Sequence, residues 1–481
     1  MKLLYVDLFC GAGGTSTGVE KATFHGDKCA KVIACVNHDA HAIASHAANH
    51  PYALHYTEDI RTLDMSPLVA HTKRLRLLHP DAYLILWASL ECTNFSKAKG
   101  GMPRDADSRT LAEHLFRYIE ALHPDYIQIE NVVEFMSWGD MDENGHPISK
   151  DKGKSYVRWV NKVCKYGYNF DWRILNAADY GAYTSRKRFF GLFAMRGLPI
   201  AFPKATHSKF PAKNQPSLFP SDNMQPWKPV REVLDLNDMG ESIFGRKKPL
   251  VDKTLERIYA GLIKFITGGK DTFIVKWNSM NGKTGKYIPP SIDMPCPTVA
   301  TQNRLGVAKV LFISKQFGGV PAGKNISEKS WIMNTNYSNV GSSIDEPSQT
   351  ITTNRKFHYL MSKQFVSKGN CIDKPCFTLI DRMDKMPPYL VSTKEGLAIE
   401  VYETDSPATI RIKEFMAMYG IADIRMRMLR IPEMKRIMGF PEDYTLIGTL
   451  AEQKKFIGNA VEVNMARVLC EAIFEKLSKS Y

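Results

Sequence analysis

Six short apolar runs in the first 200 residues constrain this chain more than any other feature. They are Leu3–Phe9, Lys31–Val36, Tyr83–Trp87, Tyr126–Ile129, Trp172–Leu175 and Phe189–Ala194. Between several of them lie stretches with apolar residues at helical spacing, such as Thr15–Thr23, Ala40–Asn49 and Thr110–Leu122. Strand–helix alternation predicts an α/β architecture around a mostly parallel sheet. In such sheets the chemistry gathers beyond the carboxyl ends of the strands. Residues 199–230, rich in Pro and Lys, read as a boundary. Near the other end, Val463–Leu477 has the spacing of a core-packing helix.

The 481 residues leave room for one to three domains. Apolar residues make up 44% and charged residues 24%, which excludes a disordered or collagen-like chain. No apolar run reaches the ~20 residues of a membrane span. The start, Met1-Lys-Leu-Leu-Tyr-Val-Asp7, carries an acid inside its apolar run, so no signal peptide is expected. Nine cysteines without a CxxC pair point to reduced thiols in a cytosol-like compartment, with no disulfide framework or zinc site. The net charge of +14 is concentrated in the middle of the chain. Residues 201–400 hold 28 basic and 17 acidic residues, whereas both flanks are near neutral. That asymmetry reads either as a well-solvated basic surface or as a polyanion-binding insert.

Residues 270–410 hold a loose repeat in which a strand-like run is followed by a polar loop and an Asp-x-Pro turn. The runs begin at Phe273, Phe312, Tyr359 and Tyr389, and the turns at Asp293, Asp345 and Asp373. Asp405-Ser-Pro-Ala-Thr409 is a shortened fourth copy. Asp and Pro favour the turn, and the following Thr favours a new strand, so a mostly β domain is expected. Lys283, Lys286, Arg304, Lys324, Arg355 and Lys356 in the intervening loops are the candidates for partner contact.

Asp7-Leu-Phe-Cys-Gly-Ala-Gly-Gly14 follows the first run and opens a helix. It lacks the spacing of a P-loop and of the full dinucleotide fingerprint. Cys92 follows the run Tyr83–Trp87 in Ala88-Ser-Leu-Glu-Cys92-Thr-Asn-Phe-Ser96, ahead of the polar loop Lys97–Gly101. Glu130-Asn131-Val132 ends the next strand. Exits of successive strands can place the thiol and the carboxylate on one rim. Thr184-Ser-Arg186-Lys-Arg188, Gly439-Phe-Pro-Glu-Asp-Tyr444 and Gly458-Asn-Ala-Val461 come later in the chain.

In identity and order these motifs resemble those of the S-adenosylmethionine-dependent cytosine-5 DNA methyltransferases of bacterial or phage type. The resemblance covers nearly the whole chain. It implies a Rossmann-like class I methyltransferase domain with a smaller, mostly β target-recognition domain. The catalytic, cofactor-binding domain would occupy 1–200 and the target-recognition domain 201–424, with 425–481 completing the first. Cys92 would add to carbon 6 of a flipped-out cytosine, which makes carbon 5 nucleophilic. Glu130 would stabilise charge at N3. Arg186 and Arg188 would hold Cys92, the base O2 or a phosphate. Phe9, Gly11, Gly13, Gly14, Asn37, Asp59, Ile60, Asn459 and Val461 would bind the cofactor, and no metal is expected. The resemblance further implies double-stranded DNA as partner, a cytoplasmic monomer without membrane contact, and a possible pairing with a separately acting restriction endonuclease.

Three departures from the family pattern stand out. Leu90-Glu91 replaces Pro-Pro before the cysteine, and Thr93 replaces Gln after it. Asn37 stands where the family has a ribose-binding acid, with Asp39 as an alternative, and Thr184 stands where Gln is usual. A tRNA cytosine-5 methyltransferase and a catalytically impaired DNA-binding paralogue are the competing readings, with amino-directed methyltransferases behind them.

Overall fold

The computed structural model describes residues 3–90, 111–138, 153–211, 224–277, 287–312, 401–402 and 404–479, with short strands between 331 and 392. The chain forms two compact units. The first comprises residues 1–236, 292–304 and 429–481, and the second 237–291 and 305–428. The boundary therefore falls at 236, not at 200, and the segment 292–304 returns to the first unit. It does so through its backbone: Cys296 and Pro297 pair in parallel with Thr184 and Ser185.

The first unit is built on seven strands: β1 (Leu3–Leu8), β2 (Ala30–Asn37), β3 (Leu54–Thr57), β4 (Tyr83–Ser89), β5 (Tyr126–Asn131), β6 (Tyr168–Asn176) and β7 (Lys187–Met195). Their order in the sheet is β3-β2-β1-β4-β5-β7-β6. The first five run parallel to one another. β7 runs antiparallel to both β5 and β6. The chain works outward from β1 to β3 and then crosses back to β4, so the strand order reverses between β1 and β4. A ligand crevice is expected at that switch point.

Burial on both faces explains why these strands read as unbroken apolar runs. Alternate residues of β1 serve opposite cores. Leu4, Val6 and Leu8 join Leu84, Leu86, Trp159, Phe189 and Phe193 on one side. Leu3 and Tyr5 join Ile85, Trp87, Met465, Leu469 and Ile473 on the other. The second core is closed by the last helix, Val463–Ser478. It packs against α1 (Gly14–Lys21), whose backbone approaches closely because two positions lack a side chain. A Cβ on Gly14 would lie 2.5 Å from the Val461 carbonyl oxygen, and one on Gly18 would lie 2.3 Å from that of Val463.

The second unit holds an antiparallel sheet in the order Glu241–Ser242, Ile421–Met428, Leu305–Phe312 and Thr272–Lys276. Helices Asp252–Gly261 and Pro407–Tyr419 pack onto it through Leu255, Ile258, Ile412 and Phe415. Strands are present where the repeat placed them at Phe273, Tyr359 and Tyr389, whereas Phe312 ends its strand. The fourth turn copy is corrected: it opens a helix. Pro407 fits the first helical position, and Ser406 Oγ accepts from the Thr409 backbone N–H at 3.3 Å. The turns at 345–350 and 373–378 lie outside the described residues.

Gly18→Ala should destabilise the protein by about 1–3 kcal/mol, because the added methyl must push α1 off the last helix. Denaturant unfolding of both proteins checks this. An unchanged midpoint would show that the contact relaxes without cost.

Candidate active site

Strand register brings the first charged pair together. Glu130, one residue from the end of β5, lies opposite Phe190 of the antiparallel β7. Arg188, two residues earlier on β7, therefore reaches it, with Nε 3.2 Å from Glu130 Oε1. Glu130 is only 6% exposed. Burial pushes its carboxyl above the usual range, while the Arg188 and Arg186 guanidiniums oppose that rise. Arg186 is itself buried, and its Nη1 donates to the Val299 carbonyl at 3.3 Å.

These three side chains line a small pocket with Ala177, Phe190, Val461, Glu462 and Met465. Glu462 is the second carboxylate there. Its Oε2 accepts from the Met465 backbone N–H at 2.8 Å and caps the last helix. Burial pushes its pKa up to about 7, against hydrogen bonds from Met465 and Asn464 and the charges of Arg467 and Arg186.

The exit of β4 is fastened beside Glu130. Asn131 donates from Nδ2 to the Leu90 carbonyl at 3.3 Å and accepts at Oδ1 from the Val132 N–H at 2.8 Å. Cys92 lies outside the described residues, as does the rest of its loop to residue 110.

The turn after β1 is left-handed at Phe9 (φ 58°), Gly11 (φ 52°) and Gly13 (φ 97°). Its glycines have different neighbours. A Cβ on Gly13 would lie 2.3 Å from Tyr444 Oη, so that space is filled by protein. Tyr444 Oη also donates to the Ala12 carbonyl at 2.5 Å. Beside Gly11 there is open space. An uncovered left-handed glycine at a topological switch point fits a cofactor lying over the strand ends.

Asn37 ends β2, and its Oδ1 accepts from the Asp39 N–H at 2.9 Å. Asp39 is the alternative to it. Its carboxylate caps α2 (Ala40–Asn49) through the N–H groups of His41 and Ala42, and Lys455 pairs with it at 3.2 Å. Asp59 is gripped by Arg61 at 2.7 Å. Ile60 is buried, and its carbonyl accepts from Arg117 Nη1 and Tyr118 Oη. Val461 is buried in the pocket, while Asn459 is exposed at the end of the helix Leu450–Asn459. Of the loop cations assigned to a partner, Arg304 bonds Gln302 at 2.6 Å. Lys283, Lys286, Lys324, Arg355 and Lys356 lie outside the described residues.

A family model described as C-5 cytosine-specific DNA methylase matches residues 3–475. The chain belongs to that family. It is 30% identical over 244 residues to the type II methyltransferase M.AgeI of Thalassovita gelatinovora, a match covering 48% of this chain and 51% of that protein. It is 26% identical over 212 residues to M1.HphI of Haemophilus parahaemolyticus, covering 44% and 50%. The chain thus spans about half the length of the curated relatives it matches. Among solved structures, the S. pombe Dnmt2 methyltransferase aligns with 14% identity and a TM-score of 0.47 over 99% of each chain.

Three side chains at this methylase-family site had no assigned role in the sequence reading. Asn131 and Tyr444 sit inside motifs that the sequence singled out, but their partners are 41 and 432 residues away. Glu462 directly follows Val461 and carried no separate signal.

Glu462 gives a pH signature. Its pKa is raised in the folded state, so it favours folding below about pH 4.5 and loses that contribution as pH rises through about 7. Glu462→Gln should therefore gain on the order of 2–3 kcal/mol relative to the parent between pH 5 and pH 8. Parallel denaturation curves at the two pH values would show no such gain if the carboxylate were ionised throughout.

Proposed function

We propose that this protein methylates carbon 5 of a cytosine in a specific duplex DNA sequence, using S-adenosylmethionine. The observation that carries the reading is the ion pair of buried Glu130 with half-buried Arg188 at the end of β5, with the exit of β4 tied beside it through Leu90 and Asn131.

The chemistry follows from the groups available. The Cys92 thiolate forms a bond to carbon 6 of the base, and the ring electrons move to carbon 5 and the N3–O2 edge. Glu130, whose protonated form burial favours, donates to N3 and stabilises that charge. Arg188 holds the Glu130 carboxyl in place, and Arg186 supplies further positive charge. S-adenosylmethionine supplies an electrophilic methyl group when bound. Gly11, Phe9, Asn37, Asp59 and Val461 are the residues that would hold it. After carbon 5 is methylated, a base removes its proton and the Cys92–carbon 6 bond breaks, returning the thiolate. The cytosine must leave the duplex stack for these groups to reach it. The positively charged middle of the chain supports DNA as the partner, with Lys and Arg meeting phosphates and the second unit reading base edges.

Cys92→Ser should abolish methyl transfer and retain duplex binding. Trapping on 5-fluorocytosine DNA should give a covalent adduct with the parent and none with the variant. Turnover by Cys92→Ser would reject this thiol as the nucleophile. Glu130→Gln should slow methylation by on the order of 10²-fold; near-normal kinetics would remove its proposed role. Bisulfite sequencing of DNA from cells expressing the protein should reveal methylated cytosines in one sequence context. Unmodified DNA alongside methylated tRNA would move the activity to RNA.

A further inference from the structure

Behind the turn that follows β1, four sulfur and nitrogen donors converge from four elements. Cys10 lies in the turn, Cys35 on β2, His46 on α2 and His55 on β3. Cys10, Cys35 and His46 are buried, and one donor atom from each lies within 4.8 Å of the other two. Cys35 Sγ is 3.6 Å from His46 Nδ1, and His55 Nε2 is 3.0 Å from that same nitrogen.

These separations match a known geometry. A tetrahedral zinc ion with sulfur at about 2.3 Å and nitrogen at about 2.0–2.1 Å has a sulfur–nitrogen edge of about 3.6 Å and a nitrogen–nitrogen edge of about 3.3 Å. The far side of His46 is arranged as metal-bound imidazoles usually are. Its Nε2 lies 2.8 Å from Ser16 Oγ, and that hydroxyl donates to Asp7 Oδ2 at 2.8 Å. The relay fixes the ring and leaves Nδ1 facing the thiols.

We infer that Cys10, Cys35, His46 and His55 form a tetrahedral site for a thiophilic divalent cation of the zinc type. At His46 and Cys35 the protonation chemistry agrees, whereas burial and the neighbouring Cys35 push the Cys10 thiol up in the metal-free protein. Burial disfavours the charged form of His46, and a neutral imidazole is the ligand a metal needs. Burial also opposes ionisation of Cys35, but hydrogen bonds with Cys10, His46 and His55 draw its thiol far below the ordinary range. Two thiolates and two imidazoles select zinc over harder ions. The site departs from the sequence-based expectation of no metal, since its ligands follow no CxxC spacing. None of the four is among the residues proposed for methyl transfer or cofactor binding, so the site stands or falls independently of that reading. A bound ion would tie the turn carrying Phe9 and Gly11 to the two neighbouring strands and to α2.

Metal analysis of the full-length protein, purified in reducing buffer without chelator, should find about one zinc per chain. Replacement by Co²⁺ should give tetrahedral visible bands and a thiolate-to-cobalt charge-transfer band in the near ultraviolet. Cys35→Ser should weaken the charge-transfer band to roughly half, and Cys10→Ser combined with Cys35→Ser should abolish it. His55→Ala, at a partly exposed position, should bind Co²⁺ at least about tenfold more weakly. Cys92→Ser should keep the full spectrum, which separates this site from the proposed catalytic thiol. The inference is overturned by a parent protein that takes up no stoichiometric metal, by a band undiminished in Cys35→Ser, surviving in the Cys10→Ser/Cys35→Ser variant or disappearing with Cys92→Ser, or by undiminished affinity in His55→Ala. A Cys10–Cys35 disulfide in freshly isolated protein would also overturn it.

Discussion

The first unit depends on how closely α1 approaches the last helix. Gly14 and Gly18 let backbone meet backbone across more than four hundred residues of sequence. The contact seats Val461 and Glu462 beside Arg186 and closes the apolar face that Leu3, Tyr5 and Trp87 present. Glycines that composition would assign to a ligand are thus partly explained by packing. Gly13 and Gly14 are filled by Tyr444 and Val461, and only Gly11 of the three faces open space. A glycine-rich turn can serve a fold and a small molecule at once, with different members of the same string.

Electrostatics gives the pocket its second constraint. Two buried carboxylates and two guanidiniums share it, so each charge offsets the desolvation cost of another. Removing one partner leaves the others uncompensated. Burial raises both carboxyl pKa values, and the guanidiniums hold that rise in check.

Much of the catalytic sheet was legible in the sequence because its parallel strands are buried on both faces and read as continuous apolar runs. All six runs are strands in the structure. The seventh strand, Leu54–Thr57, is a short edge whose residues are half-buried or exposed, so it left little signal. The helix Met65–Leu78 fully buries only Leu68 and Thr72, which leaves a faint period. Glu130 and the two arginines could be found because strand exits and a local motif coincide. The partners of Asn131, Tyr444 and Glu462 could not, because their contacts span the chain. The Cys–His cluster was hidden for the same reason: a sheet, not a spacing, collects it.

The helix Val463–Ser478 covers a sheet face formed by residues that precede it in the chain by hundreds of positions. At about 5–20 residues per second, that face waits tens of seconds for its cover during synthesis. Until then Leu3, Tyr5, Val32, Ile85 and Trp87 have no partner in Met465, Leu469 or Ile473. The nascent chain therefore carries a broad, sticky apolar surface throughout the synthesis of the intervening segment. Its yield in a cell should be governed by chaperone supply and translation speed as much as by the stability of the finished fold.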